Sequence, residues 1–356
     1  MFCELSLMTI KVFDFFSGCG GTSKGFQNAG LQPTFALDFD EDAAETFRRN
    51  FPGTVFEASD ITKFQSSELD GLLDSKDVKL FCGCAPCQPF TGQNTSKPKK
   101  ERDARRSLLG HFSSLIEKYL PDYVFVENVP GIQKVSGNST LTRFQKKLKT
   151  LGYFSTVRIV ESQKYGVPQR RRRLVLLASK RGMIDFPTET HDPLSGIPFS
   201  TVRDWISHFP PIKAGQVHPV VPNHRAASLS EINLARIKAT PPEGSRADWP
   251  KELHLACHTK NGYSGHTDVY GRMKWDAPAT GLTTRCISLS NGRYGHPEQD
   301  RAISVREAAA LQTFPDSFEF AGSLNSQARQ IGNAVPVLLA QAFGAHILSH
   351  AELNIG

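Results

Sequence analysis

The chain has 356 residues, 39% of them hydrophobic, which is enough for about two domains with buried cores. Lys and Arg outnumber Asp and Glu by 42 to 35, and this net charge of +7 favours a polyanionic partner but also fits an ordinary soluble surface. Seven cysteines without paired spacing argue against a disulfide framework and indicate a reducing compartment. The apolar N-terminus lacks the basic segment of a signal peptide, and no run of about 18 apolar residues predicts a membrane span.

In the first half, short β-branched or aromatic runs alternate with stretches of helical period, which predicts an α/β fold with a parallel sheet. Apolar residues recur on one face in two stretches between the runs, and these are predicted helices at Asp42–Phe51 and Ser107–Leu120. The predicted strands are Lys11–Phe16, Thr34–Asp38, Val78–Cys82, Tyr123–Glu127 and Leu174–Ala178.

From about Pro187 the chain becomes rich in Pro, Gly, His and Ser and loses its periodicity, so a domain boundary is predicted between residues 187 and 200. Order returns at Ser304–Gln312, where Ser304 and Glu307 have the spacing of a capping box and predict a helix. A longer helix is predicted after Pro336.

A glycine-rich turn, DFFSGCGG over Asp14–Gly21, follows the first predicted strand and precedes a helix. Its glycines would let backbone amides approach an anionic ligand group near a helix N-terminus. It departs from the dinucleotide fingerprint because Ser23 stands at the third glycine position, and a tight structural turn is the alternative interpretation.

Polar and aromatic residues at the next strand ends support a nucleotide-type ligand, since open α/β sheets bind ligands there. Asp38 could accept hydrogen bonds from two ribose hydroxyls, Phe39 could stack on an adenine, and Asp60 could accept from an adenine amino group. Each carboxylate taken alone could equally be a turn or cap residue.

The segment GCAPCQPF, Gly83–Phe90, follows an apolar strand and contains two prolines, so Cys87 should lie on a rigid turn at the edge of the sheet. A reactive thiol needs such exposure and nearby positive charge. Two alternatives remain open at this point: Cys82, Cys84 and Cys87 could bind a metal, although no fourth ligand pair is spaced for it, or Cys82 and Cys84 could be plain buried cysteines.

An acid and a cluster of cations follow at later strand ends, Glu127 in ENV and Arg170–Arg173 in QRRRRL. A carboxyl group held against a base can donate a proton to a ring nitrogen, and an adjacent Arg can hold both the carboxyl and a base carbonyl. Singly, Glu127 could be a helix-cap acid and the arginines a solvated face.

The ordered set DFFSGCGG, PCQPF, ENV, QRRRRL and QIGNAVP resembles the cytosine-carbon-5 DNA methyltransferase family, in its prokaryotic restriction-modification form, over Asp14–Pro336. The resemblance implies a Rossmann-like domain with a mixed, mostly parallel sheet that binds S-adenosylmethionine, plus a smaller, irregular target-recognition domain. It implies that Cys87 is the nucleophile, Glu127 the acid that engages ring nitrogen 3, and Arg173, with Arg171 as a further candidate, a partner of the flipped base. It implies cofactor contacts from Phe16, Gly18, Gly20, Asp38, Phe39, Asp60, Ile61, Leu108, Asn333 and Val335; no metal is implied.

Two positions depart from the family pattern: Asp38 stands where Glu is usual, and Arg172 where Glu is common. The resemblance also implies the chemistry, in which a thiolate adds to carbon 6 of a cytosine taken out of the duplex and carbon 5 then accepts the methyl group. The polar, basic loop from Pro89 to about Arg105 is expected to close over the target and contact phosphates.

The resemblance divides the chain into a catalytic and cofactor-binding domain (9–187), a small domain (188–322) with target recognition over about 188–276, and a C-terminal segment (323–356) whose helix returns beside the first strand. Composition does not rank the candidate base readers, which are Arg225, Arg236, Arg246, His258, Lys260 and Arg272. His258 and His266 are read as structural or phosphate-contacting residues rather than metal ligands.

The expected partner is double-stranded DNA, with a restriction endonuclease acting separately, and the expected form is a cytoplasmic, nucleoid-associated monomer without membrane contact. Two alternatives stay open: a tRNA cytosine-5 methyltransferase of the same family, which CHTKNGY at Cys257–Tyr263 faintly resembles, and a catalytically inactive DNA-binding protein. A nicotinamide oxidoreductase would explain the glycine-rich turn but not Cys87 with Glu127.

Overall fold

The computed structural model describes residues 9–73, 76–85, 99–130, 140–194, 196–256 and 268–354, and only the backbone of residues 99–107. The strands are β1 Ile10–Phe15, β2 Gln32–Asp38, β3 Val55–Ala58, β4 Val78–Gly83, β5 Tyr123–Asn128, β6 Phe154–Glu161, β7 Gln169–Arg170, β8 Arg172–Ser179 and β9 Ala279–Thr280. The α-helices are α1 Gly21–Asn28, α2 Glu41–Asn50, α3 Lys99–Tyr119, α4 Thr140–Thr150, α5 Val202–Ile206, α6 Glu231–Lys238, α7 Val305–Leu311, α8 Leu324–Asn333 and α9 Val337–Leu353.

Seven strands form one sheet in the order β3-β2-β1-β4-β5-β8-β6. The strands from β3 to β5 run parallel to their neighbours, whereas β8 is antiparallel to both β5 and β6. The predicted Rossmann-like α/β domain with a mixed, mostly parallel sheet is therefore confirmed.

All five predicted strands are present, because each is a buried apolar run that could only lie inside a sheet. β1 ends one residue earlier than predicted, since Phe16 has a φ of 65° and leaves the extended conformation. The prediction missed β3, which has only four residues, and β6, an edge strand with half its residues exposed. α3 begins at Lys99, so residues 99–105 are helical and do not belong to the predicted loop, of which the remaining residues lie outside the described ones.

Phenylalanine rings fill the space between the sheet and its helices. The Phe81 ring of β4 packs on two rings of the adjacent strand β1, with centroids 5.3 Å from Phe13 and 5.2 Å from Phe15. Phe112 of α3 packs on Phe15 at 5.6 Å. Each of these rings is fully buried. Their burial fixes the strand ends, on which the candidate site is built.

The C-terminal helix α9 packs mainly against α1, not beside β1 as predicted. Gly25 of α1 makes this possible, because a Cβ there would overlap Ala340 and the carbonyl of Val337. Phe343 of α9 also contacts Phe125 of β5, with ring centroids 5.5 Å apart.

One described stretch, Leu324–Leu353, is long and apolar enough to cross a membrane by length and composition alone. Of its most apolar window, 61% is buried, as in the core helix of a soluble protein, and extended backbone at Ala334 divides it into α8 and α9. The stretch is therefore weak evidence for a membrane span.

Two compact units share the chain. The first comprises residues 1–161, 172–188 and 337–356 and contains the sheet; the second comprises 162–171 and 189–336. Residues 162–171 and 323–336 thus group with the second unit, although the sequence placed them with the catalytic domain. The functional boundaries of the domains stay a prediction.

The second unit has little regular structure and is organised around α7. Ser304 caps this helix by accepting from Glu307 N at 3.1 Å, and the Glu307 side chain accepts from Ser304 N at 2.7 Å, which confirms the predicted capping box. Arg301 and Glu307 form a fully buried ion pair at 2.7 Å. Ala308, Leu311 and Phe314 are buried core residues.

Gly25→Ala should destabilise the fold by about 1–3 kcal/mol, because the added methyl group overlaps α9 and outweighs the helix propensity gained. Gly110→Ala on α3 is the matched control: nothing lies within 4 Å of a Cβ there. It should stabilise the protein by about 0.5–1 kcal/mol. Urea unfolding measures both, and equal effects of the two substitutions would contradict the packing described.

Candidate functional site

The carboxyl ends of the adjacent strands β1, β2 and β3 meet at one edge of the sheet. After β1, Phe16, Gly18 and Gly20 all have positive φ angles, of 65°, 52° and 94°, and Gly20 is the N-cap of α1. The chain thus leaves the strand through a tight left-handed turn. Only glycine adopts such angles without strain, which explains two of the three residues.

The two glycines of the turn have different surroundings. A Cβ at Gly20 would lie 2.6 Å from the Phe51 ring, so this glycine serves packing. A Cβ at Gly18 would meet nothing within 4 Å, so open space lies in front of it. The Gly18 amide donates to Asp38 Oδ2 at 2.8 Å and is not directed at an anionic ligand, contrary to the first interpretation of this turn.

Asp38 and Phe39 end β2 next to this turn. Asp38 also accepts from Asp40 N at 3.0 Å, and burial raises the pKa of its carboxyl group. The Phe39 ring is 66% exposed, which is unusual for so large an apolar side chain and suits a residue that stacks on a flat ligand. Asp60, just after β3, accepts from Thr62 N at 2.9 Å in a local turn.

The other predicted cofactor residues are distributed over both units. Ile61 is buried, and Leu108 of α3 is half-buried against the main core. Asn333, the last residue of α8, and the buried Val335 belong to the second unit. Their contacts with a ligand stay predictions.

Glu127 and Arg173 meet where β5 ends and β8 begins. Glu127 Oε1 lies 2.6 Å from Arg173 Nε, and both side chains are largely buried, with exposures of 9% and 17%. The two groups carry opposite charges, so the Arg173 guanidinium compensates the buried Glu127 carboxylate. Within the described ranges no further donor meets Oε1, so a polar ligand group could also bind there.

Cys87 lies outside the described residues, but the chain that leads to it is anchored. Asn128, next to Glu127, donates from Nδ2 to the Ala85 carbonyl at 3.0 Å, and this bond is buried. Its Oδ1 accepts from Val129 N at 2.9 Å. Sequence reasoning used ENV for Glu127 alone and missed Asn128, although a polar residue at the end of a buried strand is a signal of such a contact.

Arg171 and Arg173 differ in their surroundings although they are two positions apart. The Arg171 guanidinium is buried and donates to the carbonyls of Leu282, Gly332 and Ala334 at 2.8–3.1 Å, all in the second unit. These bonds favour a structural role, so the structure does not support the predicted contact of Arg171 with a base.

The buried carboxyl group of Asp14, the first residue of the DFFSGCGG segment, was not anticipated. Asp14 is fully buried in β1 and accepts from Ser23 Oγ at 2.7 Å, and burial raises the pKa of its carboxyl group to about 7. Burial also raises the pKa of the Cys82 and Cys84 thiols well above their ordinary value. Both should be protonated thiols, as the plain-cysteine interpretation predicts.

No group of three or more His, Cys, Asp or Glu residues in the described part of the chain is arranged to hold a metal ion. Of the candidate base readers, Arg236 and Arg272 are buried and bonded to backbone carbonyls, whereas Arg225 is exposed and Arg246 half-buried. His258, Lys260 and His266 lie outside the described residues.

Comparison with known proteins gives consistent matches over nearly the whole chain. A family model described as C-5 cytosine-specific DNA methylase matches residues 10–349. Type II methylase M.HgiDII of Herpetosiphon aurantiacus is 40% identical over 349 residues, covering 97% of either chain. Type II methyltransferase M1.HphI of Haemophilus parahaemolyticus is 32% identical and covers 96% of this chain and 87% of its own.

Solved structures agree on the fold. A prophage-encoded DNA modification methyltransferase from E. coli superimposes with a TM-score of 0.75 at 22% identity, covering 96% of this chain and 99% of the other. The S. pombe Dnmt2 methyltransferase gives a TM-score of 0.64 at 19% identity, with coverages of 96% and 98%.

Asp14→Asn should flatten the pH dependence of stability. Because the folded-state pKa of Asp14 is about 7 and its ordinary value is 3.8, the folded state binds the extra proton between these values. Asp14 therefore lowers the free energy of unfolding by about 1.4 kcal/mol for each pH unit from roughly 4 to 7. Urea unfolding at several pH values should show this slope in the wild type and not in the variant. Glu41→Gln, which removes an exposed carboxylate, should keep the slope; a slope unchanged in Asp14→Asn would contradict the buried carboxyl.

Proposed function

Since the chain belongs to the C-5 cytosine-specific DNA methylase family, we propose that Cys87, Glu127 and Arg173 form its catalytic centre at the edge where β5 ends and β8 begins. The chain is a DNA (cytosine-5)-methyltransferase of the type II restriction-modification kind, and its methyl donor is S-adenosylmethionine. The observation that carries the site proposal is the largely buried ion pair at this edge, in which Glu127 Oε1 lies 2.6 Å from Arg173 Nε.

Each proposed role follows from the chemistry of cytosine. Carbon 5 is a poor nucleophile, so the Cys87 thiolate adds to carbon 6 while Glu127 hydrogen-bonds or protonates ring nitrogen 3. Arg173 holds the Glu127 carboxyl and donates to the carbonyl oxygen of the base. S-adenosylmethionine supplies the methyl group to carbon 5. A base such as water then takes the carbon 5 proton, Cys87 leaves carbon 6 as a thiolate, and any proton on ring nitrogen 3 returns to Glu127, which restores the aromatic ring.

The base must leave the duplex for these contacts to form, at a cost of a few kcal/mol that protein contacts offset. Cys82 and Cys84 do not compete as nucleophiles, because their raised pKa keeps them protonated. Arg171 is left out of the catalytic centre because backbone carbonyls hold its guanidinium.

The edge formed by β1, β2 and β3 fits S-adenosylmethionine. Open space at Gly18, the exposed Phe39 ring and the Asp38 carboxylate would take the methionine part, the adenine and the ribose hydroxyls respectively. At Gly18 the turn offers no backbone amide to an anionic ligand, because that amide donates to Asp38. S-adenosylmethionine has no phosphate group and does not need such an amide. We propose further contacts from Phe16, Gly20, Asp60, Ile61, Leu108, Asn333 and Val335.

The finer properties of the system are also proposals. The enzyme acts as a monomer on double-stranded DNA in the bacterial cytoplasm, next to a separate endonuclease of the same specificity. Catalysis and cofactor binding belong to the domain that contains the sheet, and target recognition to the second. The similarity of whole-length bacterial type II methylases supports these assignments.

The first test incubates the protein with S-adenosylmethionine labelled on its methyl group and with either duplex DNA or tRNA. Label should enter DNA, and duplex with 5-fluorocytosine at the target position should trap a covalent complex. Cys87→Ser should abolish the complex, and Glu127→Gln should lower the transfer rate by about 10²–10⁴. Cys286→Ser, which alters a buried cysteine of the second unit, is the matched control and should still form the complex. Label in tRNA alone would overturn the substrate assignment.

Asn128→Ala should lower kcat by roughly 10- to 100-fold, since the chain that leads to Cys87 loses its buried anchor at Ala85. The KM for DNA should change little, because Asn128 positions the nucleophile and is not proposed to touch the substrate. Asn50→Ala is the matched control, as Asn50 Nδ2 likewise donates to a backbone carbonyl, that of Thr46 at 2.7 Å. Equal effects on kcat in both variants would show that only general stability is involved.

A further inference from the structure

The second unit presents a cation on a tightly anchored loop. The backbone of Val217 pairs with that of Arg225 in an antiparallel bridge, and His218 N donates to His224 O at 2.8 Å. Ala226 N donates to Gln216 O at 3.1 Å and closes the base of the loop. We call residues 216–226 the recognition hairpin.

Buried hydrogen bonds hold the recognition hairpin against α7. The buried His224 ring has Nδ1 2.9 Å from Ser304 Oγ, the cap of α7, and Nε2 2.8 Å from the carbonyl oxygen of Pro210. Val305 N donates to Arg225 O at 3.1 Å, and Arg306 Nε donates to Pro222 O at 2.9 Å. A loop fixed in this way loses little conformational entropy when it binds a ligand.

A second anchor fixes the turn at Asn223, which has a φ of 59°. Its side chain donates to Phe320 O and accepts from Phe320 N, each at 2.9 Å. The anchors therefore lie on consecutive residues of one arm, 222–225, whereas Gln216, Val217, Pro219 and Val220 of the other arm are exposed.

The outward side chains are apolar and cationic. Val217 is 56% and Val220 81% exposed, although the turn around them is well ordered by two bonds from Val220 N and Val221 N to His218 Nδ1. Arg225 is exposed, and its guanidinium has no ion pair or hydrogen bond with the described residues. Residues paired across an antiparallel bridge project from the same face, so Val217 and Arg225 lie side by side.

The recognition hairpin and the residues on either side of it carry positive charge, which favours binding of a polyanion. No acidic residue occurs between Asp204 and Glu231, whereas Lys213 and Arg225 are both exposed. Arg236 and Arg272 are not available to a polyanion in the same way, because their buried guanidinium groups donate to backbone carbonyls of the second unit.

We propose that the recognition hairpin enters a groove of the DNA substrate, where Arg225 donates to acceptor atoms of the DNA and Val217 and Val220 pack against base edges. The guanidinium can donate to a guanine edge or to a phosphate, and exposed aliphatic groups suit the thymine methyl group. The proposal rests on the function above, since it names the residues that contact the DNA which this enzyme methylates.

The test first maps the methylated site by bisulfite sequencing of a plasmid modified by the wild-type enzyme. Fluorescence anisotropy then measures binding, with S-adenosylhomocysteine present, to a duplex that contains the site and to one in which it is scrambled. Arg225→Ala should weaken binding to the site by roughly 10- to 100-fold, and Val220→Ser by several-fold. The matched control is Arg49→Ala, which removes an exposed arginine paired with Glu45 on α2 and should stay within about twofold.

Two results would support the proposal and identify the acceptor. If Arg225→Ala weakens binding only to the duplex with the site, Arg225 contacts a base edge. If it weakens binding equally to both duplexes, and the slope of binding against salt concentration falls by about one phosphate contact, Arg225 contacts the DNA backbone. Binding within twofold of wild type by Arg225→Ala and Val220→Ser on both duplexes would overturn it. Thermal unfolding should be unchanged, because neither side chain has an internal bond to lose. If the wild type transferred no label to any DNA, the proposed function would fail, irrespective of the hairpin.

Discussion

The ion pair between Glu127 and Arg173 depends on the direction of one strand. β5 runs parallel to β4 and ends at the functional edge of the sheet, and β8 is antiparallel to it and therefore starts at that edge. A parallel strand in this place would bring its first residues to the opposite edge, about 20 Å away for six residues. The reversal thus delivers an arginine to the acid, and removing either partner would leave a charge largely buried without compensation.

The second unit meets a different physical problem. Long irregular segments bury many backbone carbonyls that no helix or sheet can satisfy, and arginine side chains take up this role. Arg272 alone donates to the carbonyls of Thr240, His296, Gln299 and Ile237. Other buried arginines follow the same principle, namely Arg171, Arg301 and Arg306.

Much of the catalytic half was readable from the sequence because its signals are local. Buried strands are continuous apolar runs, and the motifs stand at their ends. The pairing of Glu127 with Arg173 could therefore be inferred once β5 and β8 were taken as neighbours in the sheet. The short strand β3 and the edge strand β6 have too few buried residues to be distinguished from loops.

The roles of the arginines could not be read in the same way. Arg171 and Arg173 are the same residue type in the same motif, and only tertiary contacts separate the framework residue from the partner of Glu127. Arg225, Arg236 and Arg272 likewise look equivalent in composition, although two of them are buried. The structure also corrected the packing of α9, because a long apolar helix does not reveal which neighbour receives it.

The use of guanidinium groups to satisfy backbone carbonyls has a consequence for how such a domain can change. Every residue has a backbone carbonyl oxygen, whatever its side chain. The hydrogen bonds from Arg272 and Arg306 to these oxygens therefore depend little on which residues supply them. Substitutions on the outer face of the second unit can then accumulate without loss of the fold.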